Sequence, residues 1–273
     1  MAKAKKTSSP SMADQADRHD LYEQAVQCSE FEIDWVVDHF QTLRGRPLRE
    51  MREDFCGTAN AACEFVARHA DNRAVGVDLD PEVLEWGRRH RVEPLEEAGG
   101  RVELIEGDVL AVDTPPVDAL LAMNFSYWLF KSRPQLLAYF KKARGQLKDD
   151  GVLYMDAFGG YDCFKDDEEE ETEHDDFTYV WHLSSFNPIT HEATYYIHFR
   201  FDDGSSLERA FEYHWRHWGL PEIRELLEEA GFSRVTIYMQ AWDDEEDEPA
   251  DEFVACEEAD ADPGWVAYIT AEK

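Results

Sequence analysis

Basic side chains are scarce in this chain: 27 Lys and Arg stand against 60 Asp and Glu, a formal net charge of −33. So negative a surface repels phosphate backbones, which argues against nucleic acid as partner or substrate. The charge fits a solvating surface of the kind used in high salt, or a field that steers a cationic substrate. Long apolar runs are missing too. None approaches the eighteen or more residues of a membrane span, so no membrane partner is expected. The opening "MAKAKKTSSPSMADQADRHD" has no apolar middle of the kind a secretion signal needs. Cysteine is sparse and unpaired: Cys28, Cys56, Cys63, Cys163 and Cys256 form no C-x-x-C pair. Reduced thiols and a cytoplasmic setting follow as expectations.

What remains is ample for folding. With 273 residues, 43% of them hydrophobic, the chain can bury one large core or two small ones. Residues 1–20 read as a disordered arm and 21–273 as a single domain. Within it, 21–47 form amphipathic helix in two pieces, 48–160 a core, 161–219 an insert and 220–273 the return to the core. In the core, apolar β-branched runs alternate with helical periodicity five times, through "AACEFVARHA", "RAVGVDLD", "PEVLEWGRRH", "RVELIEGDVL", "VDALLAMNF" and "GVLYMDAF". That rhythm predicts an α/β architecture: a mostly parallel sheet with helices on both faces. The aromatic stretches "FTYVWHLSSFN", "HEATYYIHFRF" and "SLERAFEYHWRHW" read as three inserted antiparallel strands. The acidic runs 166–176 and 243–252 read as solvated loops.

Glycine is also in short supply where it would be most telling. "MREDFCGTAN" has the outline of a strand-to-helix cofactor turn but holds one glycine, Gly57. A dinucleotide needs several, so that its pyrophosphate can approach the backbone. In an open parallel sheet the ligand lies beyond the carboxyl ends of the strands. The residues there are Glu53 to Thr58, Asp78 to Asp80, Asp108 and Val109, Asn124 to Tyr127, and Asp156. Asp78, twenty-one residues past Gly57, suits a pair of ribose hydroxyls. Asp108 suits an adenine amino group, with the Val109 amide on the ring. Each acid alone reads more readily as a helix cap; together they describe an adenosine cradle.

"EDFCGTA", "AVGVDLDPEVL", "EGDVL" and "AMNFSYW" resemble the successive motifs of class I S-adenosylmethionine-dependent methyltransferases, well over 48–158 and loosely over 220–270. The resemblance implies a Rossmann-like, seven-stranded fold and S-adenosyl-L-methionine as cofactor. It places Glu53 near the cofactor ammonium, Asp78 on the ribose and Leu79 on the adenine face. Asp108 and Val109 fall at the adenine edge, and Asn124 and Phe125 beside the sulfonium. Cys56, Gly57 and Thr58 match the common "CGT" core. Phe55 and Ala59 stand where the family carries glycine. Phenylalanine resists positive φ, so ordinary dihedrals are expected at Phe55, with Ala59 simply starting the helix. Arg52 is the candidate donor to the cofactor carboxylate.

For the acceptor, "NFSY" faintly resembles the "NPPY" signature of amino-group methyltransferases, without its prolines. Asn124, Tyr127 and His214 are the candidate catalytic residues. Trp181, Tyr195 and His198 of the insert would add an aromatic wall. His214, Arg216 and Trp218 would share one face of a strand. No metal is expected, since His214 and His217 point to opposite faces. The acceptor expected is a small molecule. Two other readings stay open: an NAD-linked or nucleotide-sugar enzyme of related topology, and a non-catalytic acidic interaction protein on the same fold.

Overall fold

The structure is a computed structural model that describes residues 10–243 and 248–273. The chain divides into two compact units, where the sequence suggested one domain. The helices before Gln27 join Lys165–Trp215 in the smaller unit; Cys28–Phe164 and Arg216–Lys273 make the larger. The division follows from the insert having an apolar core of its own.

In the larger unit, five parallel strands are β1 (Glu50–Asp54), β2 (Arg73–Asp78), β3 (Val102–Glu106), β4 (Val117–Ala122) and β5 (Leu147–Gly159). Three antiparallel strands, β10 (Arg234–Asp243), β11 (Glu248–Ala255) and β12 (Trp265–Glu272), complete the sheet in the order β11-β10-β12-β5-β4-β1-β2-β3. Every residue of β4 is buried, as a central strand covered on both faces requires. The helix α3 (Ser29–Arg44) and the helix α4 (Asn60–Ala67) cover one face. There Ile33, Phe40 and Phe65 meet Met51, Leu121 and Tyr154. Burying side chains of this size contributes roughly 1.5–3 kcal/mol each. The helix α6 (Arg133–Gln146) lies on the other face, where Gln146 meets Arg52. The strand order reverses between β1 and β4, so the switch point lies at their carboxyl ends.

Among the described residues the sheet has eight strands, against seven expected. The extra one is β11, cut from the acidic run read as loop; residues 244–247 of that run lie outside the described residues. Phe253 anchors it by stacking on Tyr268, centroids 4.2 Å apart. One inward aromatic suffices on an edge strand, and a charge count does not register it.

The smaller unit holds the sheet β6-β7-β8-β9, formed by Glu168–Glu173, Thr178–Phe186, Glu192–Arg200 and Ser206–Arg216. Its last three strands are those read from the sequence. The fourth, β6, is the other acidic run: wholly exposed, it pairs by its backbone with β7. Helices α1 (Met12–Gln15) and α2 (Arg18–Val26) occupy much of what was read as a disordered arm. Ser11 and Asp17 cap them, and Met12, Leu21 and Tyr22 pack with Phe177, Ile197, Phe199 and Phe211. A polar, charged stretch hid a few spaced apolar contacts. No helix among the described residues is long and apolar enough to cross a membrane.

Candidate functional site

At the end of β1 the chain turns through Phe55–Ala59 into α4. Phe55, Gly57 and Ala59 all take left-handed backbones, with φ of 59°, 52° and 60°. The expectation of ordinary dihedrals at Phe55 is thus overturned, and Ala59 does more than start a helix. A left-handed conformation costs a residue with a Cβ roughly 1–2 kcal/mol. Packing holds it in place: the Phe55 ring lies 5.5 Å from that of Tyr139 and 6.1 Å from that of Phe130. The Ala59 amide donates to the Cys56 carbonyl at 2.7 Å, and the residue is fully buried. The turn therefore has the path of a three-glycine loop with one glycine.

This makes a stability prediction. Ala59→Gly should leave stability within about 1 kcal/mol of the parent, lost methyl burial offsetting relieved strain. Ala59→Val should cost at least ~2 kcal/mol, because a β-branched side chain at positive φ is strongly disfavoured. Urea unfolding measures both; a valine variant as stable as the parent would exclude the left-handed turn.

Two glycines elsewhere let neighbours close on this loop. A Cβ at Gly87, in the helix α5 (Pro81–Gly87), would meet the Thr58 carbonyl oxygen at 2.3 Å. One at Gly76 would meet Cys56 Sγ at 2.8 Å. A Cβ at Gly57 would meet no protein atom within 4 Å, so its flank is open to a ligand.

The loop is tied to β2 by Asp78. Its Oδ2 accepts the Gly57 amide at 2.8 Å, and its Oδ1 accepts the Asp80 amide at 3.0 Å. An ionised carboxylate has about four acceptor positions, so two stay available. Leu79 follows, 68% exposed. The Asp78 carbonyl accepts the Gly107 amide at 2.8 Å, which sets the turn holding Asp108 beside it. Asp108 is exposed, with Oδ1 on the Leu110 amide at 2.8 Å. Val109 is buried, its carbonyl turned toward Arg52. Asp78 and Asp108 thus share one rim.

At the end of β4, Asn124 and Phe125 have φ of 55° and 57°. Asp156, on the neighbouring β5, accepts both of their amides, at 2.8 and 2.9 Å. Phe125 packs edge-on to Phe158 at 4.7 Å.

Three carboxyls behind this rim are buried: Glu53, Asp156 and Glu32 of α3. Burial pushes Glu53 up to about 8, against the Ala62 amide bond at 3.0 Å that favours its charged form, with neighbouring carboxylates adding to the rise. Glu32 rises to about 8 through burial and the charge of Asp156. Asp156 rises to about 7 through burial, in spite of its two amide donors. Among the described residues no Lys or Arg pairs with any of the three. Glu32 escaped the sequence reading because it sits in a helix outside the strand-end positions. Asp156 was noted there without its task of holding the Asn124–Phe125 turn.

Three candidates are corrected. Arg52 is fully buried under the sheet, with Nε on Asp54 at 2.7 Å and its guanidinium reaching Thr114 and Gln146. It lies on the wrong face of β1 to meet a cofactor carboxylate and serves the packing of α6. Tyr127 is fully buried and donates to the Asp156 carbonyl at 2.8 Å, a structural bond. His214 is exposed on β9 in the smaller unit, beside Glu212 at 2.8 Å. The histidine of "EYHWRHW" that belongs with the aromatics of the larger unit is His217. It is buried 4.6 Å from the Trp128 ring and 5.5 Å from Phe158. Trp218 is buried and donates to the Phe130 carbonyl, with Arg216 stacked on it. Trp181 and Tyr195 do stack, at 4.8 Å, within the smaller unit.

A parallel sheet with a left-handed, single-glycine loop at the switch point and acids on the successive strand ends defines a Rossmann-like nucleotide-cofactor fold. Residues 55–151 match the family model described as a methyltransferase domain, and the fold is that of class I S-adenosylmethionine-dependent methyltransferases. An S-adenosylmethionine-dependent methyltransferase from Clostridium acetobutylicum is similar with a TM-score of 0.67 at 16% identity, over 92% of this chain and 96% of that one. An amino pentose methyltransferase from Micromonospora echinaspora, solved with S-adenosylmethionine bound, gives 0.65 at 14%, over 93% and 96%. A sugar N-methyltransferase from Streptoalloteichus gives 0.61 at 16%, over 98% and 97%. No curated protein matches the sequence.

Proposed function

We propose that the chain is a methyltransferase that binds S-adenosyl-L-methionine at the carboxyl ends of β1, β2, β3 and β4 and methylates a small-molecule acceptor. The observation that carries this reading is the set of buried carboxyls without cationic partners behind a rim joined by Asp78. S-adenosylmethionine has an ammonium and a sulfonium, and supplies an electrophilic methyl group when bound. Buried acids are costly unless a cation compensates them, so the donor set fits such a ligand.

In this reading Asp78 takes two ribose hydroxyls on its remaining lone pairs, and Leu79 covers the adenine. Asp108 and Val109 meet the base edge; Gly57, between Cys56 and Thr58, lets the loop pass close to the methionine part. Glu53 holds the ammonium, and Asn124 and Phe125 border the sulfonium. With Arg52 engaged below the sheet, backbone amides of the loop are left to meet the cofactor carboxylate. The residues chiefly align donor and acceptor, and such positioning is worth roughly 7–11 kcal/mol. The sugar and amino-sugar substrates of two structural neighbours make small amines the first acceptors to try.

Isothermal titration tests the cofactor. S-adenosylmethionine and S-adenosylhomocysteine should bind at one site per chain, and NAD at least about a hundredfold more weakly, for want of a diphosphate cradle. Tighter binding of NAD would overturn the reading in favour of a dinucleotide enzyme. Binding of none of the three would favour a non-catalytic protein.

A further inference from the structure

The smaller unit contains a cluster that the methyltransferase reading leaves unused. On one face of its sheet, His182 of β7 and His198 of β8 direct ring nitrogens at each other, Nδ1 to Nε2, at 3.4 Å. Glu169 of the edge strand β6 lies opposite His182, with Oε1 4.0 Å from the same Nδ1. The three ligand atoms lie within 4.8 Å of one another.

The outer nitrogens of the two rings decide what the inner ones are. His198 Nδ1 lies 2.5 Å from Glu208 Oε2, and His182 Nε2 lies 3.3 Å from Asp167 Oδ1. An ionised carboxylate only accepts, so each ring donates its N–H outward. The Arg209 amide also approaches His198 Nδ1, at 3.3 Å, but the much closer carboxylate governs that nitrogen. Both inner nitrogens then present bare lone pairs to each other. Two lone pairs at 3.4 Å repel unless something positive lies between them. Two nitrogen ligands about 2.0–2.1 Å from a tetrahedral zinc ion are themselves about 3.4 Å apart. Imidazoles backed by carboxylates are the usual outer arrangement of metal-binding histidines.

We propose that Glu169, His182 and His198 bind one divalent transition-metal ion, zinc by the character of its nitrogen and oxygen donors. Glu208 and Asp167 orient the rings. Arg200 holds the second oxygen of Glu169 at 2.7 Å, leaving Oε1 for the metal. His198 is 6% exposed, His182 half-buried and Glu169 exposed, so the site opens to solvent on the β6 side. The ion would fasten a glutamate-rich edge strand to the two strands beside it. The sequence pair dismissed earlier, His214 and His217, is a different one. His182 and His198 are sixteen residues apart and meet only through strand pairing. The rival occupant is a proton shared by the two rings.

The test uses the full chain without an affinity tag, stripped with chelator and dialysed. Titrated with zinc chloride, it should bind one ion per chain and gain several degrees in Tm; cobalt(II) should give tetrahedral ligand-field bands. His182→Ala should weaken zinc binding at least a hundredfold, and Glu208→Gln about tenfold or more, while His191→Ala should change nothing. Should His182→Ala fail to fold, the cobalt spectrum of the parent and the Glu208→Gln titration decide. No saturable binding, or one equivalent still bound by a folded His182→Ala variant, would overturn the proposal and leave the shared proton or an adventitious ion only.

Discussion

Asp78→Ala should weaken S-adenosylmethionine binding by a factor of a hundred or more while leaving the protein folded. The carboxylate does two jobs in the proposed complex. It holds the Gly57 amide at 2.8 Å, fixing the left-handed loop, and it offers two positions for ribose hydroxyls. Hydrogen bonds to a charged group contribute about 1.5–3 kcal/mol each. Losing two therefore amounts to roughly two to four orders of magnitude in Kd, at 1.4 kcal/mol per tenfold. Asp78→Asn separates the roles. Its amide oxygen can still accept the Gly57 N–H, so the loop stays, but its NH2 then faces the Asp80 amide and one acceptor oxygen goes with the charge. The loss should be about tenfold or more and smaller than for Asp78→Ala. Asp108→Ala should cost less than Asp78→Ala, because Asp108 is exposed and its carboxylate bonds the Leu110 amide two residues on. Thermal unfolding of each variant accompanies the titrations. Near-parental affinity in a folded Asp78→Ala protein would refute the placement of the cofactor.

The second large effect is on pH. Binding of S-adenosylmethionine should tighten as pH rises from 6 to about 8 and should release protons. Glu53 and Glu32 are raised to about 8 and Asp156 to about 7. Below those values the free site holds their protons. A cationic ligand favours the carboxylates, so binding drives protons off, and each proton released changes affinity up to tenfold per pH unit. S-adenosylhomocysteine keeps the ammonium but lacks the sulfonium, so its dependence should be shallower.

The stability of the free protein should move the opposite way. A carboxyl whose pKa is raised on folding binds more protons folded than unfolded through the window from about 4 to about 8. Its contribution is therefore fully present below the unfolded value and falls as pH rises through that window. Titration in buffers of different ionisation heat counts the protons. Glu53→Gln should remove part of the pH slope and weaken binding. Affinity independent of pH, with no proton exchange, would mean that the buried acids do not face the cofactor's charges.

Much of the fold was readable because alternation and periodicity are local. Strands β1 to β5, helices α3 to α6 and the helix α7 (Leu220–Ala230) declare themselves by which positions are apolar, since burial on a strand or helix face repeats every two or 3.6 residues. Strand ends then told where acids would gather, which is why Asp78 and Asp108 were found together. The edge strands β6 and β11 broke the rule because an edge needs little apolar surface. Their acids looked like loop until backbone pairing was seen.

What a single position points at is a matter of contact, and there the chain alone was silent. Arg52 and Glu53 are neighbours on one strand facing opposite sides, so their order could not say which of the two meets a ligand; the packing of α6 claims Arg52. Phe55 and Ala59 look unfit for a left-handed turn, and only the rings of Tyr139 and Phe130 show how Phe55 is held there. The meeting of His182 with His198, and the nearness of Glu32 to the charge of Asp156, depend on which strand or helix lies beside which. Residue type and spacing set the elements and the rim of acids, because those follow from local geometry. Which acids are buried without a cation was decided by long-range packing, since burial is a property of neighbours distant in the chain.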